Sequence, residues 1–194
     1  MKKLFYSVCL AAIILTACNN KSNSTTENDA SKMDQPAITA DSGTATSAIK
    51  GVVDGYLQLS EALAQDNDKN AADAGKTIVN AMTGLDKSSF TADQAKLYSD
   101  IDADAKEHAE HISKNAGNIK HQREHFDMLS KDLYDLVKSV GGGRTLYVAN
   151  CPMYNKNKGA NWLTTSKEIQ NPYLGTAMPT CGTIKEELQK NEPQ

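Results

Sequence analysis

Two short segments near the end of the chain combine cysteine and methionine around a proline. The first is Cys151-Pro152-Met153 and the second is Met178-Pro179-Thr180-Cys181. Thiolates and thioethers are soft ligands that favour Cu(I), and proline restricts the directions in which neighbouring ligands point. We therefore predict a soft-metal site, for Cu(I) or Ag(I), with the sulfur ligands Cys151, Met153, Met178 and Cys181.

The same four side chains also fit simpler roles. Cys151 and Cys181 would form a disulfide in an oxidising compartment, and the two methionines would fill gaps in the packing. The metal and disulfide interpretations use the cysteines in incompatible ways, and the residue types leave both open. The alternative to a metal-binding protein is therefore a disulfide-stapled interaction module of the cell envelope that binds no metal.

Histidine is the other candidate ligand. At 100° per residue, His121 and His125 form a stripe with Met128 beside the apolar face of a predicted helix. The C-terminal segment would dock on this stripe, so His121 and His125 are candidates to complete the metal site. His108 falls in the apolar stripe of the preceding helix and is better explained as a core histidine hydrogen-bonded to a neighbour. His111 lies at the edge of that stripe, and its role as ligand or solvent-exposed side chain stays open.

These ligands must be positioned by helices, because apolar residues recur at helical spacing from residue 47 to residue 140. Thr91 and Gln94 form a capping-box pattern at the start of the third helix. Short connections between helices favour antiparallel packing, so we predict an all-α fold, an up-down four-helix bundle. Helices are expected over 49–63, 69–82, 91–114 and 119–140.

The segment after Gly141-Gly142-Gly143 has a different character. Residues 146–148 could be a short extended piece, and residues 150–181 are rich in Pro, Asn, Gly and Lys. Trp162 and Tyr173 offer apolar rings to bury, which argues against disorder. We expect 150–181 to be an ordered, irregular C-terminal cap on the bundle, followed by a short helix over 183–189.

The start of the chain has the features of a bacterial lipoprotein. Lys2 and Lys3 precede a short apolar run that is too short to span a bilayer. Leu15-Thr16-Ala17-Cys18 resembles a lipobox, so we predict a signal peptide over 1–17, lipid attachment at Cys18, a disordered tether over 18–46 and a domain over 47–190. Asn19 favours the outer membrane, with the domain facing the periplasm. An ordinary signal peptide with a chance cysteine is the alternative.

Charge and motifs restrict the function. The formal net charge is −3, and loss of the leader would remove two lysines, whereas nucleic-acid binding needs a basic surface. We therefore expect no nucleic-acid partner. The sequence contains no Gly-x-Ser-x-Gly, no His-Glu-x-x-His and no glycine-rich phosphate loop before a helix. We expect a binding protein and no enzyme.

Several motifs in order resemble one Bacteroidetes family. They are His121-Gln122-Arg123-Glu124-His125-Phe126-Asp127-Met128-Leu129-Ser130, Cys151-Pro152-Met153, Lys158-Gly159-Ala160-Asn161-Trp162-Leu163, Glu168-Ile169-Gln170-Asn171-Pro172-Tyr173 and Met178-Pro179-Thr180-Cys181-Gly182. This family of formerly unknown function occurs as small envelope lipoproteins and as the C-terminal extension of copper/silver-type heavy-metal efflux adaptor subunits.

The resemblance implies a helical bundle that handles copper or a similar soft ion in the periplasm. The matched sulfur positions are Cys151, Met153, Met178 and Cys181, and the implied partners are an efflux adaptor or a copper chaperone. Family members commonly have His directly before Cys-Pro-Met, where this chain has Asn150. That departure shifts the imidazole role to His121 or His125.

Overall fold

The computed structural model describes residues 42–189 of the 194-residue chain. The predicted signal peptide, Cys18 and most of the predicted tether lie outside these residues. Within 42–189, none of the helices combines the length and the apolar character needed to cross a membrane.

Helices make up the first two thirds of the described chain, and successive long helices pack against each other. The four long helices agree closely with the predicted ranges, and a short helix precedes them. The helices of this part are α1 (Ser42–Ala48), α2 (Lys50–Ala64), α3 (Asp68–Thr83), α4 (Ala92–Lys114) and α5 (Ile119–Val140), and the C-terminal cap adds the short helix α6 (Tyr154–Asn157) and a 3-10 helix (Gly175–Ala177).

Local sequence signals set the helix starts. The side chain of Thr91 accepts a hydrogen bond from the backbone N–H of Gln94, and the Gln94 side chain accepts one from the backbone of Thr91. This reciprocal pair is the predicted capping box. Asn67 and Asn118 cap α3 and α5 in a similar way through their side-chain oxygens. Because each cap satisfies backbone donors within one turn, the helix starts could be recognised from sequence alone.

Helix α1 lies in the last residues of the stretch predicted as a tether. Its Ala45 is buried, and the hydroxyl of Thr46 donates a 2.8 Å hydrogen bond to the carbonyl of Val140 at the end of α5. Within the described residues, packing against the helices therefore extends a few residues before 47.

A small antiparallel sheet follows the helices. It consists of β1 (Leu146–Cys151), β2 (Ala160–Thr164) and β3 (Thr183–Leu188), in the order β2-β1-β3. β1 pairs with β2 from Tyr147↔Thr164 to Cys151↔Ala160, and its pairing with β3 shifts register between Val148 and Ala149. β2 also packs against α5.

The sheet corrects two predictions. The chain is mostly helical, as predicted, but it is not all-α, and the C-terminal cap contains β2 and the end of β1 as well as irregular turns. The predicted helix over 183–189 is wrong, because these residues form β3. The burial of β3 alternates along the strand and ends at buried Leu188, as expected for a strand with one face on the core.

A chain of aromatic rings joins the helices to the C-terminal cap. Tyr56 of α2 stacks on Phe126 of α5 with 5.2 Å between ring centroids, and Tyr173 lies 5.4 Å from Phe126 and 5.9 Å from Trp162. All four rings are buried. The Tyr56 hydroxyl lies 2.7 Å from Ser130 Oγ and accepts a hydrogen bond from the backbone N–H of Leu163. Trp162 and Tyr173 therefore anchor the cap, as predicted.

Arg123 ties the cap to the turn between α2 and α3. Its guanidinium donates to the carbonyls of Pro172 (2.7 Å) and Leu63 (2.8 Å) and forms an ion pair with Asp66. Asp66 also accepts hydrogen bonds from the backbone and hydroxyl of Thr176. A mostly buried guanidinium with several partners holds both segments together.

We expect Gly175→Ala to disrupt this clasp. Gly175 has φ = 55°, and a Cβ there would overlap Asp66 Oδ1 and Arg123 Nη2. Both the left-handed backbone and the overlap oppose a side chain, so unfolding free energy should fall by about 2–3 kcal/mol. Urea denaturation followed by circular dichroism measures this change.

Gly117→Ala is the matched control. Gly117 also has positive φ, at 92°, but nothing lies within 4 Å of its would-be Cβ. Its cost should be limited to the backbone strain of about 1 kcal/mol. Equal losses in the two variants would contradict the clasp.

Candidate functional site

The structure brings the two predicted thiol ligands into contact. Cys151 at the end of β1 and Cys181 just before β3 are free cysteines with their sulfurs 3.2 Å apart. Cys151 is fully buried and Cys181 is half-buried. The pair therefore has one face in the core and one face towards solvent.

Hydrogen bonds converge on the sulfur of Cys151. Burial raises the pKa of this thiol, but hydrogen bonds from the Cys181 thiol, the Asn171 side chain and the backbone N–H groups of Met153 and Tyr154 outweigh it and lower the pKa. Pro152 has no N–H, so the first amides able to reach the sulfur belong to the next two residues. The hydrogen bond to Cys151, followed by burial, raises the pKa of Cys181. Of the two thiols, Cys151 is therefore the one that loses its proton more readily.

Glycine lets the second cysteine approach β1. A Cβ on Gly182 would lie 2.9 Å from the Trp162 ring and 3.0 Å from the carbonyl of Asn150, and Gly182 has φ = 149°. Asn150 itself donates a 2.8 Å hydrogen bond to Asn161 Oδ1 across the strands. The side-chain amide of Asn150 is thus used in a hydrogen bond between β1 and β2. An amide is in any case a poorer ligand for a soft metal ion than an imidazole.

The two predicted thioether ligands are on the surface. Met153 is 49% exposed and Met178 is 39% exposed. Among the described residues, the large hydrophobic side chains left exposed are these two and Met128. The alternative that Met153 and Met178 fill gaps in the core is therefore not supported.

The four histidines of the sequence meet where α4 ends and α5 begins. His111 Nδ1 lies 3.4 Å from His121 Nε2, and the ring of His111 stacks on that of His125 with 4.3 Å between centroids. The Nδ1 atoms of His108 and His125 are 3.2 Å apart. One ligand atom each from His111, His121 and His125 lies within 4.8 Å of the other two. We call these three residues the imidazole group.

Burial and neighbouring charges favour the neutral form of His108 and His125. Burial lowers the pKa of His125 to about 4, and His111, His121 and His108 add to the shift. Burial also lowers the pKa of His108, against the opposing effect of Glu107 and Asp104. A neutral imidazole has a free lone pair, which is the form that binds a metal ion.

Sequence reasoning named all four histidines as candidates and left the role of His111 open. Helical periodicity singled out His121 and His125 but attached them to the sulfur ligands, whereas the structure groups them with His111. His108 is half-buried, and its Nδ1 lies 3.2 Å from that of His125, as expected for a histidine hydrogen-bonded to a neighbour. The available signal was the spacing of two histidines three apart on α4 and two histidines four apart on α5, joined by the short connection 115–118.

Acidic residues lie further along the contact between α4 and α5. Asp132 lies two turns beyond His125 on α5, and within the described residues its buried Oδ2 has no hydrogen-bond partner. Burial, then Asp104 and Asp135, raise its pKa to about 6. Because the folded-state pKa exceeds the unfolded value, the charged form destabilises the fold, and stability should fall as pH rises from about 4 to about 6.

We therefore expect Asp132→Asn to stabilise the protein at pH 7. The gain should be about 1 kcal/mol after allowance for solvent screening and should vanish below about pH 4, where the native carboxyl is already neutral. Urea denaturation at the two pH values measures it. Asp73→Asn, on an exposed position of α3, should change stability by less than about 0.5 kcal/mol at both. A gain at Asp132 that is the same at both pH values would be inconsistent with this explanation.

Comparison with known proteins gives one match. No curated protein and no solved structure matches the chain. Residues 52–145 match the family described as "Protein of unknown function (DUF3347)". The matched segment contains all four histidines and ends before Cys151. The resemblance to a family of formerly unknown function is thus confirmed over residues 52–145, the segment that matches the family model.

Proposed function

We propose that this chain is a periplasm-facing lipoprotein that binds a soft metal ion, Cu(I) or Ag(I), at Cys151 and Cys181. It sequesters the ion or passes it to an efflux system through an adaptor or a copper chaperone. Lipid on Cys18 anchors the protein, most simply to the outer membrane. In this proposal the protein is a binding protein without catalytic activity, and its four long helices form an up-down bundle.

The contact between the two thiols carries the proposal. Two residues 30 positions apart are brought to a sulfur–sulfur distance of 3.2 Å. The polar groups around Cys151, among them the Asn171 side chain, lower the pKa of its thiol. Such groups stabilise a thiolate, and thiolate is the form of cysteine that binds metal. A hard ion such as Mg²⁺ would prefer oxygen ligands.

The methionines support the same chemistry. Met153 follows Cys151 by two residues and Met178 precedes Cys181 by three, and both side chains are exposed. Exposed thioethers next to a half-buried thiol provide soft ligands along an entry path to the buried sulfur.

Titration of the reduced, full-length chain with Cu(I) against a chromogenic Cu(I) chelator tests the site. The unaltered protein should compete for Cu(I), and Cys181→Ser should weaken binding by at least about 100-fold, equivalent to about 2.7 kcal/mol. Cys181 is half-buried, so this substitution leaves the core intact. Unchanged competition in Cys181→Ser and in the Cys151→Ser, Cys181→Ser double variant would exclude the sulfur site.

The methionines have a matched control within the chain. Met153→Leu and Met178→Leu should each weaken Cu(I) binding by about tenfold, because each removes one thioether. Met82 is buried on α3, so Met82→Leu should leave Cu(I) affinity unchanged. If the three variants behave alike, the thioethers are not ligands.

The thiol contact also favours a second candidate function. Two sulfurs this close can be oxidised to a disulfide, which would staple the cap and leave an interaction module without metal. Alkylation of the protein isolated from the cell envelope, followed by mass spectrometry, separates the two. Two alkylated cysteines in residues 151–181 support the metal site, and none supports the disulfide.

A further inference from the structure

The imidazole group has the dimensions of a metal site. Two nitrogens bound to one tetrahedral ion at about 2.0–2.1 Å lie about 3.3–3.4 Å apart. The nitrogens of His111 and His121 are 3.4 Å apart. The ligand atom of His125 lies within 4.8 Å of both, so small side-chain rotations are enough to bring three nitrogens around one ion.

Two carboxylates face the outer nitrogens of these rings. Glu107 Oε1 lies 3.8 Å from His111 Nε2, and Glu124 Oε2 lies 3.7 Å from His121 Nδ1. The nitrogens that face each other are His111 Nδ1 and His121 Nε2. In both His111 and His121, one ring nitrogen therefore faces the other histidine and the second nitrogen faces a carboxylate. These distances of 3.8 and 3.7 Å exceed hydrogen-bond length, and a small rotation that closed them would let each carboxylate orient a metal-bound imidazole and raise its basicity.

The imidazole group sits on a rigid and accessible support. His111 is in the last turn of α4 and His121 is in the first turn of α5, and residues 115–118 connect the two helices. Buried Gln122 bridges them by donating a 3.1 Å hydrogen bond to the carbonyl of Ile112. The side chains of His111 and His121 remain 44% and 31% exposed. An ion can thus reach nitrogens that are already close together.

We propose that His111, His121 and His125 form a second metal site, for a divalent first-row transition ion of the Zn²⁺ or Cu²⁺ class. The ligands are three neutral imidazoles with no thiolate, and this set suits borderline divalent ions. The site is separate from the Cys151–Cys181 pair in both its residues and its ligand chemistry. It therefore stands whether or not the sulfur site binds Cu(I).

Zn²⁺ is the probe for the first test, with the untagged full-length chain so that no added histidine competes. Competition against a chromogenic Zn²⁺ chelator should show that His111→Gln with His121→Gln weakens binding by at least about 100-fold. Cys181→Ser should retain the affinity. Lys114→Gln, an exposed change in the same turn of α4, is the matched control and should bind as the unaltered chain does.

A measurement on the unaltered protein makes the test independent of whether the variants fold. Histidine side-chain ¹⁵N resonances, recorded with and without Zn²⁺, should move for His111, His121 and His125. Glu107→Gln and Glu124→Gln, which keep all imidazoles, should each weaken Zn²⁺ binding by about tenfold or more.

Two results would overturn the site. One is a Zn²⁺ affinity that survives in the double histidine variant but is lost in Cys181→Ser, which would place the ion at the thiols. The other is a set of imidazole ¹⁵N resonances that do not respond to Zn²⁺ in the unaltered protein.

Discussion

The C-terminal cap depends on the hydrogen bonds made by the buried side chain of Asn171. Its Nδ2 donates a 2.6 Å hydrogen bond to the carbonyl of Cys181, and its Oδ1 accepts hydrogen bonds from the backbone N–H groups of Tyr173 and Leu174. A fully buried amide must satisfy its donors and acceptors or lose a few kcal/mol. Because Asn171 holds the carbonyl of Cys181, it helps to fix the backbone that brings the sulfur of Cys181 to that of Cys151.

The position of Asn171 is in turn fixed by α5. Arg123 donates to the carbonyl of Pro172, the next residue after Asn171, and to the α2–α3 turn. Phe126, one turn along, packs against Tyr173. The neighbouring positions His121 and His125 turn towards α4 instead. With 3.6 residues per turn, one helix can hold the cap on one face and the imidazole group on another.

The origin of each element in the sequence explains what could be predicted. The four long helices follow from apolar spacing and from caps such as Thr91 with Gln94, which act within a single turn. β3 could not be recognised in this way. Lys185, Glu186 and Glu187 favour helix, and their strand conformation depends on pairing with β1, more than 30 residues earlier. Local preference loses to such long-range pairing.

The same distinction holds for the candidate sites. Cysteine, methionine and proline spacing predicted that Cys151 and Cys181 belong together, and their contact agrees with it. The imidazole group depends on how α4 and α5 face each other across their connection. A helical wheel describes one helix at a time, so it could assign each histidine to a face of its own helix but could not give the distance from His111 to His121 across the connection.

The two proposed sites, the Cys151–Cys181 pair and the imidazole group, differ in how far their ligand atoms must move to hold an ion. The imidazoles are carried by two packed helices, and the 3.4 Å between His111 and His121 already fits one ion. Two thiolates on one tetrahedral ion at about 2.3 Å each lie about 3.8 Å apart, whereas the sulfurs are 3.2 Å apart. Cys181 is half-buried and precedes an edge strand, while Cys151 is fully buried, so Cys181 has more room to move. In the proposed sulfur site, widening the sulfur pair would therefore involve the segment that Asn171 holds, whereas the proposed imidazole site has no such requirement.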